Sequence, residues 1–280
     1  MLLGYNTNGF AHHRFDDCVA ILADLGYGSV AITLDHHWLS PFGPNLAAEV
    51  AETRRLLARY GLRSVVETGA RFLLNPRVKH EPTLISPTDA ERRVRIEFLA
   101  RAIDLAADLE SDAVSFWAGR RHDAIDPETC WKHLVEGCRQ VAAHAARRKV
   151  KTAFEPEPGM FIETMDQFAE LIDRLDDPAF GLTLDVGHLH CVEQGPIPSH
   201  VRRWRDRLSN VHIEDMRRGV HEHLMFGQGE IDFGPVIRAF EEIAYTGALH
   251  VELSRHSHMA PEAAAEAYRF LAPIAQGCRR

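Results

Sequence analysis

Short runs of β-forming residues alternate with longer helical patterns along the whole chain, and no other feature limits its possible folds so strongly. The predicted strands are Leu2–Thr7, Ser29–Leu34, Arg63–Glu67, Ala113–Trp117, Val150–Glu155, Gly181–Asp185, Asn210–His212 and Ala248–Glu252. Strand–helix units with no linker or break in composition favour one closed parallel barrel. An open doubly wound sheet is less well supported, because its glycine fingerprint is missing after the first strand. We therefore predict an α/β fold in which residues 1–280 form a single (β/α)8 TIM barrel domain.

Capping residues mark the boundaries of the predicted helices. Asp126 is a suitable N-cap and Pro127 a suitable first residue for a helix. Thr88 and Thr164 each begin a capping box, in which side chain and backbone satisfy each other's free donors. The apolar stripe that follows Pro127 consists of Trp131, Leu134, Val135, Cys138, Val141 and Ala142.

Three connections that leave the carboxyl ends of strands are much longer than the others. They are Gly69–Pro87, Val186–Pro198 and Ile213–Ile231. Loops of this length in a compact domain are usually functional. In a parallel barrel they lie on the face that carries the active sites of this fold, so we expect the functional site there.

The composition excludes several classes of function. The chain has 32 Lys and Arg against 40 Asp and Glu, a net charge of −8, so neither a nucleic acid nor an anionic membrane is expected as a partner. No stretch reaches the roughly 18 apolar residues of a membrane span. The cysteines are far apart and odd in number, which favours a reducing, cytoplasmic location without disulfides. They are Cys18, Cys130, Cys138, Cys191 and Cys278.

Four side chains with acid–base or metal-binding chemistry end consecutive predicted strands. Strands five to eight end in Glu155, Asp185, His212 and Glu252, and all are expected to point from the upper rim towards the barrel axis. Each alone more often caps a helix or pairs with another charge, but those roles do not account for four in register. Three carboxylates need a counter-charge, and three oxygen ligands with one nitrogen suit a single divalent ion, Mn²⁺, Mg²⁺, Co²⁺ or Zn²⁺.

Five segments resemble the successive motifs of the xylose isomerase-like TIM barrels. They are Phe154-Glu155-Pro156-Glu157-Pro158-Gly159, Leu184-Asp185-Val186-Gly187-His188, Val211-His212-Ile213-Glu214-Asp215, Gly227-Gln228-Gly229-Glu230-Ile231-Asp232 and Val251-Glu252. That superfamily includes ketose 3-epimerases, inosose isomerases and dehydratases, hydroxypyruvate isomerases and metal-dependent abasic-site endonucleases. The resemblance implies the fold and the metal site, and constrains the reaction only loosely.

The resemblance also implies roles for individual residues. The family's metal ligands match Glu155, Asp185, His212 and Glu252. In the epimerase branch, the glutamates that match Glu155 and Glu252 also act as the acid–base pair on opposite faces of the substrate. His188 and Arg217 match positions that contact substrate hydroxyls there. Relatives often form dimers or tetramers, so a homo-oligomer is a further expectation of the resemblance.

The site predicts a metal-dependent isomerase or epimerase that acts on a keto-sugar or keto-inositol through an enediolate. A divalent cation polarises the carbonyl and its neighbouring hydroxyl, while Glu155 and Glu252 move the proton. One alternative is a metal-dependent lyase, either of the inosose dehydratase type or one that cleaves a sugar conjugate. The other is a barrel that binds a metabolite without catalysis.

Further candidates for the substrate pocket lie near the strand ends. Trp117 ends strand four and is predicted either to contact the sugar or to plug the barrel. Trp38 follows strand two, beside His36 and His37, and offers another aromatic wall.

A group of histidines raises the question of a second metal. His221-Glu222-His223 resembles in spacing an Asp-x-His pair that holds an additional zinc in the endonuclease branch, together with a histidine at the His188 position. His188, His221 and His223 are therefore a candidate second metal site, and substrate binding is the role we favour. Other ligands of that branch are missing, and the charge of −8 does not suit a phosphate backbone, so endonuclease activity is not expected.

Whether the substrate carries a phosphate depends on two segments. Gly227-Gln228-Gly229 precedes a predicted helix, where free N–H groups can bind phosphate, but the adjacent Glu230 and Asp232 would repel it. An unphosphorylated polyol or keto-sugar is therefore expected. Contact with a phosphate or carboxylate through the long loop after strand three would reverse this expectation. The cations of that loop are Arg71, Arg77 and Lys79.

Overall fold

The computed structural model describes residues 1–277. Its strands are β1 (Leu2–Asn6), β2 (Ser29–Thr33), β3 (Arg63–Glu67), β4 (Val114–Phe116), β5 (Thr152–Phe154), β6 (Leu182–Asp185), β7 (Leu208–Ile213), β8 (Asp215–Arg217), β9 (Val220–Leu224) and β10 (Ala248–Val251). Its α-helices are α1 (Phe15–Leu25), α2 (Leu46–Tyr60), α3 (Asp89–Asp108), α4 (Pro127–Arg148), α5 (Met165–Leu175), α6 (Val186–Val192), α7 (Ile197–Arg203), α8 (Phe233–Glu242) and α9 (Ala260–Gly277).

All strands except β8 and β9 form a closed parallel barrel. The order around it is β1, β10, β7, β6, β5, β4, β3 and β2, and β1 closes the barrel by pairing with β10, Leu2 opposite Ala248. This confirms the predicted α/β barrel and its eight strands. Since the strands are parallel, all their carboxyl ends meet at one rim.

The predicted capping residues begin their helices. Asp126 Oδ1 accepts a hydrogen bond from the Thr129 N–H at 3.0 Å, and Pro127 is the first residue of α4. Both capping boxes are present, at Thr88 before α3 and at Thr164 before α5. These helices surround the barrel and bury their apolar faces against it.

Two of the three long connections contain regular structure that the sequence did not predict. The Val186–Pro198 segment contains α6, whose N-cap Asp185 accepts a hydrogen bond from the His188 N–H at 2.7 Å. The Ile213–Ile231 segment contains an antiparallel hairpin of β8 and β9. Both elements are too short for a hydrophobic period to reveal.

The glycine-flanked segment after β9 is fixed by a buried carboxylate. Asp215 Oδ2 accepts hydrogen bonds from the N–H groups of Gly227 at 2.8 Å and Gly229 at 2.9 Å, and Oδ1 accepts one from Ile231 at 3.2 Å. The N–H groups that the sequence offered as a phosphate site are therefore already bonded within the protein.

Two further expectations concern membranes and cysteines. Within residues 1–277, no helix is both long and apolar enough to cross a membrane. Cys18, Cys130, Cys138 and Cys191 are free and buried, so these four described cysteines form no disulfide. Cys278 lies outside the described residues.

The barrel interior contains a line of hydrogen-bonded polar side chains. His250 on β10 donates from Nδ1 to Asn210 Oδ1 at 2.9 Å, and its Nε2 lies 2.9 Å from Ser29 Oγ. Asn210 on β7 donates from Nδ2 to Glu67 Oε1 at 3.0 Å. Burial, reinforced by the charge of His212, lowers the pKa of His250 to about 3, so its imidazole is neutral.

This neutral histidine predicts a pH-dependent stability. The unfolded chain takes up a proton at His250 near pH 6.5, whereas the folded protein does so only near pH 3, so stability falls as the pH drops below 6.5. At pH 4.5 this protonation of the unfolded chain lowers the free energy of unfolding by roughly 2–3 kcal/mol. Urea unfolding between pH 7.5 and 4.5 should show a smaller loss in His250→Gln than in the wild type. The exposed His12→Gln is the control, and equal losses in wild type and His250→Gln would contradict the prediction.

Candidate metal centre

The structure brings together the four residues predicted to hold a metal ion. Glu155 follows β5, Asp185 ends β6, His212 lies in β7 and Glu252 follows β10. One ligand atom from each lies within 4.8 Å of the others. This arrangement follows from the barrel itself, because neighbouring parallel strands place their last residues at one rim.

Three carboxylates surround one nitrogen of His212. Its Nδ1 lies 3.0 Å from Glu252 Oε2, 3.1 Å from Glu155 Oε1 and 3.7 Å from Asp185 Oδ2. Burial alone would lower the pKa of His212, but Glu67 and Glu155 outweigh it and hold that pKa well above its usual value. The centre therefore requires positive charge at this nitrogen, from a proton or from a cation.

Glu67 fixes the orientation of the imidazole from the other side. His212 Nε2 donates to Glu67 Oε1 at 2.9 Å, so the neutral ring carries its proton on Nε2 and presents the lone pair of Nδ1 to the carboxylates. A carboxylate behind a histidine is a common arrangement in metal sites, where it fixes the tautomer and raises the basicity of the ligand.

Asp185 supplies an independent indication that these residues fit a cation. Its Oδ2 is buried and has no hydrogen-bond partner within residues 1–277, although Oδ1 is bonded to the His188 N–H. A buried carboxylate oxygen without a partner is costly, and a cation would satisfy it. With three carboxylates and one imidazole, the donors suit Mn²⁺, Mg²⁺, Co²⁺ or Zn²⁺.

The two predicted catalytic glutamates have pKa values displaced in opposite directions. Burial raises the pKa of Glu155 well above its usual value. Burial would raise that of Glu252 too, but the charge of His212 outweighs it and holds this pKa far below the usual value. Asn8 Nδ2 also donates to Glu252 Oε1 at 2.7 Å. Two carboxyl groups whose pKa values are displaced in opposite directions are suited to act one as an acid and the other as a base.

A cavity of about 200 Å³ contains Glu155, His212 and Glu252 in its wall. Of the predicted substrate-binding residues, Trp117, His188 and His223 line it. Arg217 is exposed on β8, donates to the Gln228 carbonyl at 3.2 Å and is not part of the wall, so its contact with substrate stays a prediction.

The candidate wall after β2 belongs to a different space. Trp38 and His37 line a small neighbouring cavity of about 20 Å³. The indole of Trp38 stacks on Phe15 and donates from Nε1 to Thr53 Oγ1 at 3.1 Å. Trp38 therefore packs between α1 and α2, away from the metal cavity.

Trp117 forms a fixed aromatic wall of the metal cavity. The Arg95 guanidinium lies 4.7 Å from the centre of its ring, and the His80 ring meets it edge-on at 5.3 Å. Arg95 is fully buried, and burial lowers its pKa to about 10. Trp117 is only 6% exposed and lines the cavity, so its burial is compatible with contact to a substrate there.

The histidines of the candidate second site are in contact with one another. His188 Nε2 lies 3.0 Å from His221 Nε2, and the rings of His221 and His223 are 5.3 Å apart. Burial lowers the pKa of His188 to about 4 and also lowers that of His221. Neutral imidazoles can act as metal ligands or accept hydrogen bonds from a substrate hydroxyl.

The sequence did not single out Glu67, Asn8 or Glu214. Glu67 ends β3, so the strand-end rule that predicted the four ligands also applies to it. Glu214 is fully buried without a hydrogen-bond partner for either oxygen among residues 1–277, and burial followed by Asp185 raises its pKa well above the usual value. Asn8 lies in a short 3-10 helix (Thr7–Phe10) after β1 and carries no such signal.

Glu67 carries a prediction of its own. Glu67→Gln removes the negative charge behind His212, so we expect metal affinity to fall roughly 10- to 100-fold. Competition with a fluorescent chelator measures this affinity, and the exposed Glu266→Gln is the matched control. Equal affinities in Glu67→Gln and the wild type would show that the carboxylate does not support the ligand.

The fold and the site define a class: a (β/α)8 barrel with a carboxylate and imidazole centre at its carboxyl rim. The family model described as the xylose isomerase-like TIM barrel matches residues 19–274, and the chain belongs to this family. The resemblance seen in the sequence motifs is thereby confirmed.

The curated relatives that the chain resembles include dehydratases. Inosose dehydratase of Clostridium perfringens is 29% identical over 140 residues, which cover 44% of this chain and 46% of that protein. The chain thus spans about half the length of such curated relatives.

Two solved structures share the whole fold. An L-ribulose 3-epimerase superposes with a TM-score of 0.79 at 18% identity, covering 100% of this chain and 96% of that chain. The IOLI protein, solved with a bound zinc atom, superposes with a TM-score of 0.78 at 18% identity and 99% coverage of both chains. At these identities the likeness shows the fold alone.

Proposed function

We propose that this protein is a metal-dependent isomerase or epimerase of a keto-sugar or keto-inositol, working through an enediolate. The observation that carries the proposal is the pair Glu155 and Glu252, which both approach His212 Nδ1, at 3.1 and 3.0 Å, in the wall of one cavity. The names of the relatives, an inosose dehydratase and an L-ribulose 3-epimerase, support a substrate of this class.

The difficult step is removal of a proton from the carbon next to a carbonyl, because such a carbon is a very weak acid. A divalent cation held by Glu155, Asp185, His212 and Glu252 would polarise the carbonyl and its neighbouring hydroxyl. One glutamate takes the proton from the carbon, and the other returns a proton. Return to the opposite face of the same carbon gives the epimer. Return to the former carbonyl carbon, with the proton of the neighbouring hydroxyl passing to the former carbonyl oxygen, gives the isomer.

Neighbouring residues position Glu252 and shield the cavity in which the proton transfers would take place. Asn8 holds one oxygen of Glu252, which leaves Oε2 facing the centre. Trp117 and His188 form part of the buried wall that would limit access of water to the intermediate. Each turnover protonates one glutamate and deprotonates the other, and exchange with solvent restores both.

The experiment follows from this exchange. Metal-loaded protein incubated with a panel of ketoses and inososes in D₂O should incorporate deuterium at the carbon next to the carbonyl, detected by NMR. A panel that stays free of deuterium, together with protein that takes up no metal, would overturn the proposal.

A lyase is the second candidate, and the inosose dehydratase relative favours it. The same glutamates could remove the proton while hydroxide or an aglycone leaves from the next carbon. Mass spectrometry separates the reactions, because a lyase product loses the mass of water or of the aglycone, whereas an isomerase product keeps the substrate's mass.

A non-catalytic barrel is the remaining alternative. It would bind a ketose with equal affinity in the wild type and in Glu155→Gln, and neither protein would turn over any member of the panel.

The three neighbouring histidines, His188, His221 and His223, decide whether the protein binds one metal ion per chain or two. We infer that His188 and His223 contact substrate hydroxyls, since both line the cavity and burial keeps His188 neutral. Plasma mass spectrometry should then find one tightly bound ion per chain. Two ions, with one lost in His221→Gln, would instead assign the second metal to His188, His221 and His223.

A further inference from the structure

The long loop after β3 is closed at its neck by one histidine. The His80 N–H donates to the Arg71 carbonyl, and His80 Nδ1 donates to the Gly69 carbonyl at 2.7 Å. The φ of His80 is +69°, in the left-handed region that few side chains other than those of Asn, Asp and His adopt readily. Residues 71–80 therefore leave the barrel rim and return to it at His80, whose backbone and ring are both anchored.

The aromatic wall of the metal cavity holds the ring of His80 from a second side. Its ring meets that of Trp117 at 5.3 Å with an angle of 90° between the planes. Trp117 is in turn packed under Arg95, a fully buried residue whose guanidinium lies 4.7 Å from the centre of the indole. The His80 ring cannot turn without losing both its bond to the Gly69 carbonyl and this contact, so its orientation is set before any ligand binds.

The proton of the His80 ring can be assigned to one nitrogen. A carbonyl oxygen only accepts hydrogen bonds, so Nδ1 carries the proton and Nε2 carries a lone pair. Burial lowers the pKa of His80 to about 4, so the ring is neutral at pH 7. Within residues 1–277, Nε2 forms no hydrogen bond with the protein. His80 thus carries a hydrogen-bond acceptor that no side chain or backbone group of this part of the chain uses.

This residue belongs to the wall of the metal cavity. His80 lines the cavity together with Glu155, His212 and Glu252. Its loop follows β3, which lies opposite β7, the strand of His212, in the order of strands around the barrel. A molecule whose reacting end is held at the four predicted metal ligands can therefore reach His80 with its other end.

We propose that His80 is a substrate-binding residue whose Nε2 accepts a hydrogen bond from a substrate hydroxyl away from the reacting carbons. The inference rests on the proposed function and adds a specificity-determining residue to that site. The contact requires a hydroxyl that still carries its proton, because a lone pair binds neither an ether nor an ionised oxygen. A site built to bind a hydroxyl rejects analogues that lack it, so His80 would select among ketoses by this group.

Two substitutions separate this contact from the structural role of the ring. Asparagine has an amide N–H where histidine has Nδ1–H, and it adopts the left-handed region, so His80→Asn should keep the bond to the Gly69 carbonyl while losing Nε2. Glutamine carries an amide oxygen about as far along the side chain as Nε2, so His80→Gln should recover part of the loss. His12→Asn, at an exposed position, is the control.

The first readout is the rate of deuterium exchange by zinc-loaded full chain with D-fructose, D-allulose, D-tagatose and 2-keto-myo-inositol. For each compound that exchanges, His80→Asn should raise KM roughly 2- to 12-fold, the fold-change of one net hydrogen bond, and leave kcat and zinc content near those of the wild type. A wild-type KM in His80→Asn, or a fall in kcat alone, would overturn the inference.

The second readout is independent of turnover. In zinc-loaded protein with ¹⁵N-labelled histidine, the Nε2 resonance of His80 is assigned by its absence in His80→Asn. It should move to lower frequency when one of these compounds is added, as an acceptor that gains a hydrogen bond does, and the resonances of His12 should stay in place.

The two readouts judge the inference and the proposed function separately. Exchange without the Nε2 shift removes the inference and leaves the function. The shift without exchange removes the function and leaves His80 as a contact of a ketose-binding barrel. Absence of both exchange and shift with all four compounds overturns both.

Discussion

Glu252→Gln is expected to slow deuterium exchange into the substrate roughly 10²- to 10⁴-fold, the usual contribution of a positioned acid or base. Glutamine keeps the shape of the side chain and one oxygen, but it cannot take up or release the proton. Glu155→Gln should have an effect of similar size, because each glutamate performs one of the two proton transfers. NMR in D₂O with the best ketose of the panel measures both rates.

Metal content must be measured on the same samples, since both glutamates are also predicted ligands. A variant that keeps its metal and loses exchange has lost the acid or base. Glu266→Gln, an exposed position on α9, should behave as the wild type. If Glu252→Gln retained both metal and full exchange, the glutamate pair would not be the catalytic machinery.

Asp185→Asn should produce the largest loss of metal. The residue has two roles: Oδ1 caps α6, and Oδ2 lies 3.7 Å from both His212 Nδ1 and His188 Nε2, with no hydrogen-bond partner in the described part of the chain. Asparagine caps helices as well as aspartate does, so α6 should stay folded. The negative charge at the centre is lost, and we expect affinity to fall more than the roughly 100-fold typical of residues behind the ligands.

Two measurements separate these tasks. Chelator competition reports the metal affinity, and circular dichroism without added metal reports the fold, which should melt at nearly the wild-type temperature. Asp24→Asn on α1 is the exposed control. Unchanged metal affinity in Asp185→Asn would contradict the assignment of Asp185 as a ligand.

The barrel was predictable because its elements have strong local signals. Strands such as Ser29–Thr33 contain short apolar runs, and helices such as Pro127–Arg148 have both a capping residue and a long apolar stripe. The α6 helix has seven residues, about two turns, and β8 has three, so neither presents enough residues for a period to be recognised.

The residues of the site that lie at the ends of strands could be predicted from the sequence. Glu155, Asp185, His212 and Glu252 follow from strand position, since parallel strands place their last residues at one rim. Lys79 lies in an irregular loop and Asn8 in a four-residue 3-10 helix, where the path of the backbone decides which side chains face the cavity. Arg217 was predicted from its position in a motif, but the structure does not place it in the wall of that cavity.

The line of polar side chains inside the barrel bears on any attempt to transfer this centre to another scaffold. The imidazole of His212 is held by Glu67, Glu67 by Asn210, Asn210 by His250, and His250 contacts Ser29. These residues come from β2, β3, β7 and β10, on both sides of the barrel interior. Grafting the four predicted ligands alone would leave the ring free to turn or to change tautomer, so the smallest transferable unit includes this interior line.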